Sequence, residues 1–232
     1  MKSVLITGGT RGIGYETASY FNIIGWKVYV VARDFQRFVF EDADKVVKIK
    51  FDLTEVEKIP ELANQVGPVD ALINNAGAMF SLPYTDYPES KISHMLKLNL
   101  ETPVALIREF SRLMISQGSG RIVNVSSLAA HTGHSDVWYG ITKAGILNAT
   151  RSFANLLGPE GIVVNAVAPG PTETDMIDTI PHKRKKDVLD KVYLGRFAKS
   201  VEVAKTILWL ATECPEYING VCIDINNGFH HR

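Results

Sequence analysis

Thr7-Gly8-Gly9-Thr10-Arg11-Gly12-Ile13-Gly14 is the stretch of sequence that decides the fold. A short β-branched run, Val4–Thr7, precedes it, and the apolar residues of Ile13–Ile24 recur with a helical period. A strand that turns directly into a helix presents backbone N–H groups and the positive end of the helix dipole, which favour a diphosphate. Taken alone, the stretch would also suit a tight turn without a ligand. We expect ligand contacts from Gly8, Thr10, Arg11, Gly12, Ile13 and Gly14.

Beyond this turn, apolar β-branched runs alternate with stretches of helical period. The predicted strands are Val4–Thr7, Val28–Val31, Val46–Phe51, Ala71–Asn74, Ile122–Val125, Ile162–Ala168 and Val221–Ile225. The predicted helices are Ile13–Ile24, Lys91–Ser116, Tyr139–Leu157 and Val201–Ala211. This rhythm predicts an α/β protein with a doubly wound parallel sheet of seven strands, covered by helices on both faces. Between Arg33 and Lys45 the apolar pattern is broken by acidic residues, so a full helix is not expected there.

The composition suits one globular domain that acts on a small molecule. The 232 residues include 25 basic and 25 acidic side chains, so no global field attracts nucleic acid or a membrane. Two cysteines are too few for a disulfide scaffold, and neither has a Cys/His neighbourhood with metal-ligand spacing. The N-terminal run is too short for a signal peptide and reads as a strand. We expect a cytoplasmic protein with no metal and no membrane segment.

Further motifs, in a fixed order over nearly the whole chain, make the sequence resemble the short-chain dehydrogenase/reductase family. They are Asp52-Leu53, Asn74-Asn75-Ala76-Gly77, Asn99, Asn124-Val125-Ser126-Ser127, Tyr139-x-x-x-Lys143 and Pro169-Gly170. The resemblance implies a single Rossmann domain with strand order 3-2-1-4-5-6-7. It also implies a homotetramer or homodimer built on the helices of Asn99 and Tyr139.

The residue pair after the second strand indicates which nicotinamide cofactor is bound. NAD-preferring folds place an acidic residue there, whereas this chain has Ala32-Arg33. A guanidinium presents fixed donors to two phosphate oxygens, and Arg11 could close on the same 2′-phosphate. We expect NADP(H). Asp34 could reach the ribose instead if the strand ends later, and both arginines could be ordinary surface charges.

Other cofactor contacts follow from the family resemblance. Asp52 and Leu53 would contact the adenine, although Asp52 could also cap a helix beginning near Thr54. Small residues at Asn74-Asn75-Ala76-Gly77 would let the backbone lie along the nicotinamide ribose; an Asn-rich turn without a ligand is the alternative. The ribose contacts are expected from Asn75, Ala76 and Gly77, and contacts to the carboxamide and diphosphate from Pro169, Gly170 and Thr172.

Tyr139 and Lys143 are four residues apart, so on a helix they share one face. A phenol is a poor base near neutral pH, but an adjacent ammonium favours the phenolate. Tyr139 would exchange a proton with the carbonyl oxygen, and Lys143 would also hold the nicotinamide ribose. The same spacing is common on helix surfaces, so the assignment depends on the neighbouring motifs.

The serine that would polarise the carbonyl is ambiguous. Ser127 is second in the Asn-x-Ser-Ser run but twelve residues before Tyr139, whereas Ser126 has the family's usual spacing of thirteen. Because side chains alternate along a strand, only one of them can face the substrate, and we favour Ser127. By resemblance, Asn99 kinks its helix and links Lys143 to solvent; a helix-facing amide bonded to backbone is the alternative.

On the substrate side, residues 172–198 are expected to form a lid. The basic cluster 182–186 could attract an acidic substrate, although such a run is usually a solvated helix face. The substrate entrance is expected to include His131, His134, Trp138 and Met176, and the two histidines lack a third metal ligand nearby in sequence. Within the family, the sequence most resembles the 3-oxoacyl-(acyl-carrier-protein) reductases. Dehydrogenases of sugars, polyols or secondary metabolites share every motif and are the second hypothesis. A non-catalytic NADP-binding sensor is the third.

Overall fold

A computed structural model of the chain describes residues 1–36, 38–40, 44–175 and 182–232, without the side chains of 182–184. Its main sheet contains seven parallel strands. These strands are β1 Ser3–Thr7, β2 Lys27–Ala32, β3 Val46–Lys50, β4 Ala71–Asn74, β5 Gly120–Val125, β6 Ile162–Pro169 and β9 Cys222–Ile225. A small second sheet pairs β7 Thr172–Glu173 with β8 Ala198–Lys199. The order β3-β2-β1-β4-β5-β6-β9 confirms the expected topology of the seven-stranded sheet.

Helices connect most of these strands. They are α1 Gly12–Ile23, α2 Ile59–Val66, α3 Glu89–Leu96, α4 Thr102–Gln117, α5 Ala129–Thr132, α6 Val137–Leu157, α7 His182–Leu189 and α8 Ser200–Thr212. The single helix predicted over Lys91–Ser116 is instead α3 and α4 joined by a π-helical segment, Lys97–Glu101. The sequence prediction also omitted α2, because only two turns of apolar period are present there.

The strands are buried on both sides because helices cover both faces. Alternate side chains of β1 point to opposite faces: Leu5 packs with Phe110 of α4, whereas Val4 and Ile6 pack with Phe21 of α1. This explains why the strands read as continuous apolar runs, as is usual for parallel sheets. No helix within the described part of the chain is long and apolar enough to cross a membrane.

The connection from β2 to β3 has no helix in its described residues, in agreement with the shortened crossover expected from the sequence. An aromatic cluster covers α1 there: Phe38 packs 5.8 Å from the Tyr15 ring and 5.3 Å from the Phe40 ring, centre to centre. The Tyr15 hydroxyl donates to the Val39 carbonyl at 3.0 Å. Aromatic side chains therefore shield the end of the sheet where a longer crossover would place a helix.

Candidate active site

The glycine turn has the geometry that an anion requires. Gly8 and Gly12 have φ of 66° and 53°, in the left-handed region that favours glycine. A Cβ on Gly14 would clash with the Gly8 carbonyl and lie 2.5 Å from Asn75 Nδ2. No side chain caps α1, whose N-cap is Arg11, and no acidic residue lies in its first turn. The N–H groups of this turn therefore suit a diphosphate.

Asn75 joins the ends of β1 and β4. Its side-chain nitrogen donates to the carbonyls of Thr7 at 3.0 Å and Gly8 at 3.1 Å. The Thr7 hydroxyl accepts hydrogen bonds from the backbone nitrogens of Asn75 and Ala76. These bonds fix the backbone of Asn75, Ala76 and Gly77 beside the glycine turn, where the sequence analysis expected the nicotinamide ribose to lie.

Arg33 and Asp34, the two candidates for contact with the adenosine ribose or its phosphate, have different surroundings at the end of β2. The Asp34 carboxylate accepts from the Gln36 backbone nitrogen at 2.7 Å, so it closes its own turn. Arg33 lies near Asp52 and His94. Burial acts to raise the pKa of Asp52, but hydrogen bonds from Thr54 and the charge of Arg33 outweigh it, so the pKa falls below its usual value. Arg33 is thus placed beside the expected adenine contact.

Asp52 closes a turn that precedes α2. Its carboxylate accepts from the backbone nitrogen of Thr54 at 3.0 Å and from the Thr54 hydroxyl at 2.8 Å. A 3-10 segment, Val56–Lys58, follows and leads into α2 at Ile59, so helical structure does begin near Thr54, but its N-cap is Glu55 and not Asp52. The neighbouring Leu53 is buried in the core cluster beneath this turn.

Arg11 already has an ion-pair partner in this structure. Its guanidinium pairs with the Asp175 carboxylate at 2.7 Å, and both side chains are largely exposed. The Asp175 carboxylate engages Nη1 and therefore competes with a 2′-phosphate for the Arg11 guanidinium. An exposed ion pair contributes at most about 1 kcal/mol, so exchange of the partner is inexpensive.

Tyr139 and Lys143 lie on the first two turns of α6, and both are buried. The Lys143 ammonium is 5.8 Å from the centre of the Tyr139 ring and donates to the Val125 carbonyl at 2.8 Å. Burial lowers the pKa of Lys143 to about 8. Burial also raises the pKa of Tyr139, against the opposing effect of a hydrogen bond with Ser127. The lowered phenol pKa expected from the Tyr–Lys spacing is therefore not found in this structure, because burial outweighs the other influences.

The two serines after β5 point in opposite directions, as strand alternation requires. The Ser126 hydroxyl is buried and donates to the Lys143 carbonyl at 2.7 Å, which ties β5 to α6. The Ser127 hydroxyl hydrogen-bonds with Tyr139 and accepts from the Ala129 nitrogen at 3.2 Å. Of the two hydroxyls, that of Ser127 is beside the phenol.

Asn99 lies in the π-helical segment, at the point where the helix widens. Pro103 has no N–H to give to the Asn99 carbonyl four residues earlier, which accounts for a break in the regular pattern. The Asn99 amide bonds both the nitrogen and the carbonyl of Ala78, at 2.8 and 2.9 Å, and donates to the Thr142 hydroxyl at 3.1 Å. A Cβ on Gly77 would lie 3.3 Å from Asn99 Oδ1 and 3.4 Å from Lys143 Nζ, so both groups border Gly77.

The loop after β6 joins this group at the same edge of the sheet. The Leu128 nitrogen donates to the Pro169 carbonyl at 2.9 Å, and the Gly170 nitrogen to the Ile225 carbonyl at 2.8 Å. The Thr172 hydroxyl donates to the Gly170 carbonyl at 3.0 Å and is mostly buried. Its hydroxyl is thus turned onto the chain's own backbone.

The expected lid is described only in part. Residues 176–181, which include Met176, lie outside the described residues, as do the side chains of 182–184 in the basic cluster. Of the entrance residues, Trp138 packs against a buried cluster that includes Tyr139, and the His134 ring is 5.4 Å from the Tyr139 ring. His131 instead faces β9.

Asp136 is a site residue that the sequence analysis missed. It is completely buried and caps α6 by accepting from the Tyr139 nitrogen at 3.1 Å. The same carboxylate accepts from the backbone nitrogens of Phe80 and Ser81 and from the Tyr87 hydroxyl. It therefore fixes the 80–87 loop to the start of the helix that carries Tyr139. An aspartate three residues before Tyr139 is a typical N-cap signal, which could have pointed to it.

We predict that Asp136→Ala lowers the free energy of unfolding by about 2–3 kcal/mol, because a helix cap is lost and buried donors are left without a partner. kcat/KM should fall by about tenfold as Tyr139 and the 80–87 loop lose their common anchor. Asp136→Asn keeps one carbonyl oxygen and should lose less of both. Urea unfolding and steady-state kinetics measure these effects; an unchanged unfolding free energy in Asp136→Ala would show that the anchor is unimportant.

A glycine turn at a helix N-terminus, beside a buried Tyr–Lys pair and a partly exposed serine at the carboxyl edge of a parallel sheet, defines a dinucleotide-binding oxidoreductase. Residues 8–230 match the family model described as enoyl-(acyl carrier protein) reductase. The 3-oxoacyl-(acyl-carrier-protein) reductase FabG of Aquifex aeolicus is 36% identical, with 98% of this chain and 96% of the relative covered. FabG of Staphylococcus aureus strain Mu50 is 32% identical over 99% and 98%, respectively.

Solved structures agree with these relatives. A structure from Beutenbergia cavernae, provisionally assigned as an NAD(P)-dependent gluconate 5-dehydrogenase with bound NADP at low occupancy, has a TM-score of 0.94. It is 26% identical, with 98% of this chain and 96% of that chain covered. A short-chain dehydrogenase/reductase family protein has a TM-score of 0.90 and 31% identity, with 98% and 96% covered. The chain belongs to the short-chain dehydrogenase/reductase family, whose members are oxidoreductases acting on CH–OH and C=O groups.

Proposed function

We propose that this chain reduces a carbonyl to an alcohol with NADPH, and that the substrate is a 3-oxoacyl thioester. The observation that carries the proposal is the contact between Ser127 and Tyr139, with Lys143 one helical turn further on and the glycine turn at the same sheet edge. The curated relatives named above support the choice of a carrier-bound 3-oxoacyl group. The net charge of zero is compatible with a small or carrier-bound substrate and gives no reason to expect nucleic acid.

When bound, the nicotinamide supplies hydride to the carbonyl carbon. Tyr139 gives its hydroxyl proton to the carbonyl oxygen, and the Ser127 hydroxyl holds that oxygen next to the phenol. Lys143 lies behind Tyr139, where its ammonium stabilises negative charge that develops on the phenol and can reach the ribose hydroxyls. Asn99 holds the Ala78 backbone beside Gly77 and Lys143, which keeps the floor of the cleft in place.

NADP(H) is the proposed cofactor, with Arg33 on the 2′-phosphate. Three observations support this proposal: Arg33 follows β2, Asp34 is engaged in its own turn, and a structural neighbour contains NADP. The contacts predicted for Gly8, Thr10, Gly12, Ile13, Gly14, Leu53 and Thr172 form part of the same proposal. Arg11 would join after leaving Asp175.

We predict that Arg33→Ala raises the Kd for NADPH by about 10–100-fold, since hydrogen bonds to a charged group are each worth about 1.5–3 kcal/mol. The Kd for NADH should barely change, because NADH lacks the 2′-phosphate. Fluorescence titration of both cofactors measures the difference, with Arg112→Ala, on the far end of α4, as the control. An unchanged NADPH preference in Arg33→Ala would remove this residue from the cofactor site.

A second candidate function is the oxidation of a sugar acid or polyol, which the gluconate dehydrogenase neighbours favour. NADPH consumption with acetoacetyl thioester, diketone and sugar panels, and NADP reduction with polyols and sugar acids, separates the two. We expect turnover of the thioester. Turnover of sugars, sugar acids or polyols alone would instead show that the chain is a sugar or polyol dehydrogenase. Tight NADPH binding with no turnover of any panel member would indicate a sensor.

The remaining assignments belong to the same proposal. Residues 172–198 would form a substrate lid, and the chain would act in the cytoplasm. A homotetramer or homodimer would form through α4 and α6, where exposed Ile141 and Leu156 offer apolar surface. Light scattering of the purified protein measures the assembly.

A further inference from the structure

A polar cluster lies where α5 faces β9. It consists of His131 on α5 and of Cys222 and Asp224 on β9, and one potential ligand atom from each lies within 4.8 Å of the others. His131 Nε2 and Asp224 Oδ1 are buried atoms with no hydrogen-bond partner. Buried polar atoms nearly always have a hydrogen-bond partner. Two neighbouring buried atoms without one therefore indicate that a shared partner binds between them.

The separation of the two atoms indicates what that partner is. His131 Nε2 and Asp224 Oδ1 are 3.7 Å apart, which is too far for a direct hydrogen bond. A water molecule about 2.8 Å from both atoms would have an angle of about 80° at its oxygen between Nε2 and Oδ1, which is smaller than the angle between two hydrogen bonds of a water molecule. A metal ion about 2.1 Å from both atoms would have a ligand–metal–ligand angle of about 120°, which is close to the tetrahedral angle.

We propose that His131, Cys222 and Asp224 form a binding site for a transition-metal ion, with Zn²⁺ as the preferred ion and solvent in the fourth position. Imidazole nitrogen, thiolate sulfur and carboxylate oxygen are the three donor types that Zn²⁺ takes in proteins. Binding forms a metal–Sγ bond at Cys222 and breaks its S–H bond, and the proton leaves to solvent.

The surroundings prepare the carboxylate and the imidazole. Arg232 Nε donates to the other Asp224 oxygen at 2.8 Å and leaves Oδ1 directed at His131. A partner on the outer carboxylate oxygen is the usual way in which such ligands are oriented. Burial, with a further contribution from Arg232, lowers the pKa of His131.

The same surroundings limit the affinity. Burial and the neighbouring Asp224 raise the pKa of the Cys222 thiol to about 11, so an incoming ion must displace a proton. The positive charges near the cluster are Arg151 and Arg232, with His230 stacked 6.5 Å from the His131 ring. The Cys222 thiolate and the Asp224 carboxylate together neutralise the charge of a divalent ion. Arg232 still donates its hydrogen bond to the outer oxygen of the Asp224 carboxylate.

The proposed carbonyl reduction does not require this metal site, because none of its three ligands belongs to the group formed by Tyr139, Lys143 and Ser127. The metal site would tie α5, which begins two residues after Ser127, to the edge strand β9. The cluster could not be predicted from the sequence around His131, because no other ligand lies nearby in the chain. The two other ligands come from a strand about 90 residues further on.

The test uses Co²⁺ as a spectroscopic substitute for Zn²⁺ with the full-length protein. We expect one Co²⁺ per chain and a near-ultraviolet thiolate-to-cobalt charge-transfer band, which Zn²⁺ displaces. Cys222→Ser should abolish the band, and His131→Gln and Asp224→Asn should each weaken Co²⁺ binding by about 100-fold. Circular dichroism of each variant checks that it is folded, so that loss of binding can be assigned to the ligand.

Two control variants separate this site from other metal-binding groups. Cys214→Ala removes the other cysteine, which is buried elsewhere, and should leave the band unchanged. A double variant, His230→Gln with His231→Gln, removes the C-terminal histidines and should retain the band. The proposal is overturned if the wild-type protein gives no band, if Cys222→Ser keeps it, or if only the double variant loses binding.

Discussion

Replacing Tyr139 by phenylalanine should lower kcat for carbonyl reduction by about 10³-fold, within the range that one proton-transferring side chain contributes. The ring is retained, so the packing of α6 and the affinity for NADPH should stay close to wild type. Burial raises the pKa of Tyr139, so its proton is present throughout the neutral range. The reduction rate of the wild-type enzyme should therefore be highest below about pH 8, fall as rising pH removes the Lys143 proton, and fall further as alkaline pH removes the Tyr139 proton.

Stopped-flow measurement of NADPH oxidation checks this prediction, together with NADPH titration of the variant. Tyr217→Phe is the matched control, because Tyr217 is fully exposed and should leave kcat unchanged. If Tyr139→Phe retains more than about a tenth of the wild-type kcat, the phenol does not deliver the proton.

Ser127→Ala should lower kcat by about 10²–10³-fold, the usual cost of removing one hydrogen-bond donor to a developing oxyanion. Ser126→Ala should leave kcat within a few-fold of wild type, because its hydroxyl is committed to the Lys143 carbonyl. Loss of that buried hydrogen bond should instead reduce the free energy of unfolding by about 1 kcal/mol.

The pair of serine variants forms its own control, since the two residues are adjacent and the same atom is removed from each. Steady-state kinetics and urea unfolding of both variants measure the two effects. Full activity in Ser127→Ala with loss in Ser126→Ala would assign the polarising role to Ser126. That result would require a different arrangement of the strand end from the one in this structure.

The parallel sheet covered by helices could be predicted because it depends on short-range patterns, whereas its strand order was implied by the family resemblance. The glycine turn, the buried strands and the helical periods each lie within a few neighbouring residues, and parallel strands with crossover helices admit few arrangements. The bounds of β4 were predicted as found, and most other elements differ by one or two residues. Among the elements that were predicted, the exception was the stretch containing Asn99, where a π-helical segment is not distinguishable from an apolar helix by period.

The site could be predicted only where family motifs or helical spacing bring residues together. Asp136 was missed because its partners, Phe80, Ser81 and Tyr87, are about 50 residues away and mostly offer backbone atoms. The pKa of Tyr139 could not be predicted from the Tyr–Lys spacing, because burial depends on the packing of the whole cleft. The same holds for the cluster at His131, whose partners come from the last strand.

Hydride is proposed to reach a carbonyl carbon in this cleft. The most direct measurement supplies NADPH deuterated at both C4 positions, with acetoacetyl thioester and crotonyl thioester in the same reaction, and locates deuterium in the products by mass spectrometry and NMR. We expect a 3-hydroxyacyl product with one deuterium on the carbon that carried the ketone. Deuterium found only in the saturated product of crotonyl thioester, or in neither product, would contradict it.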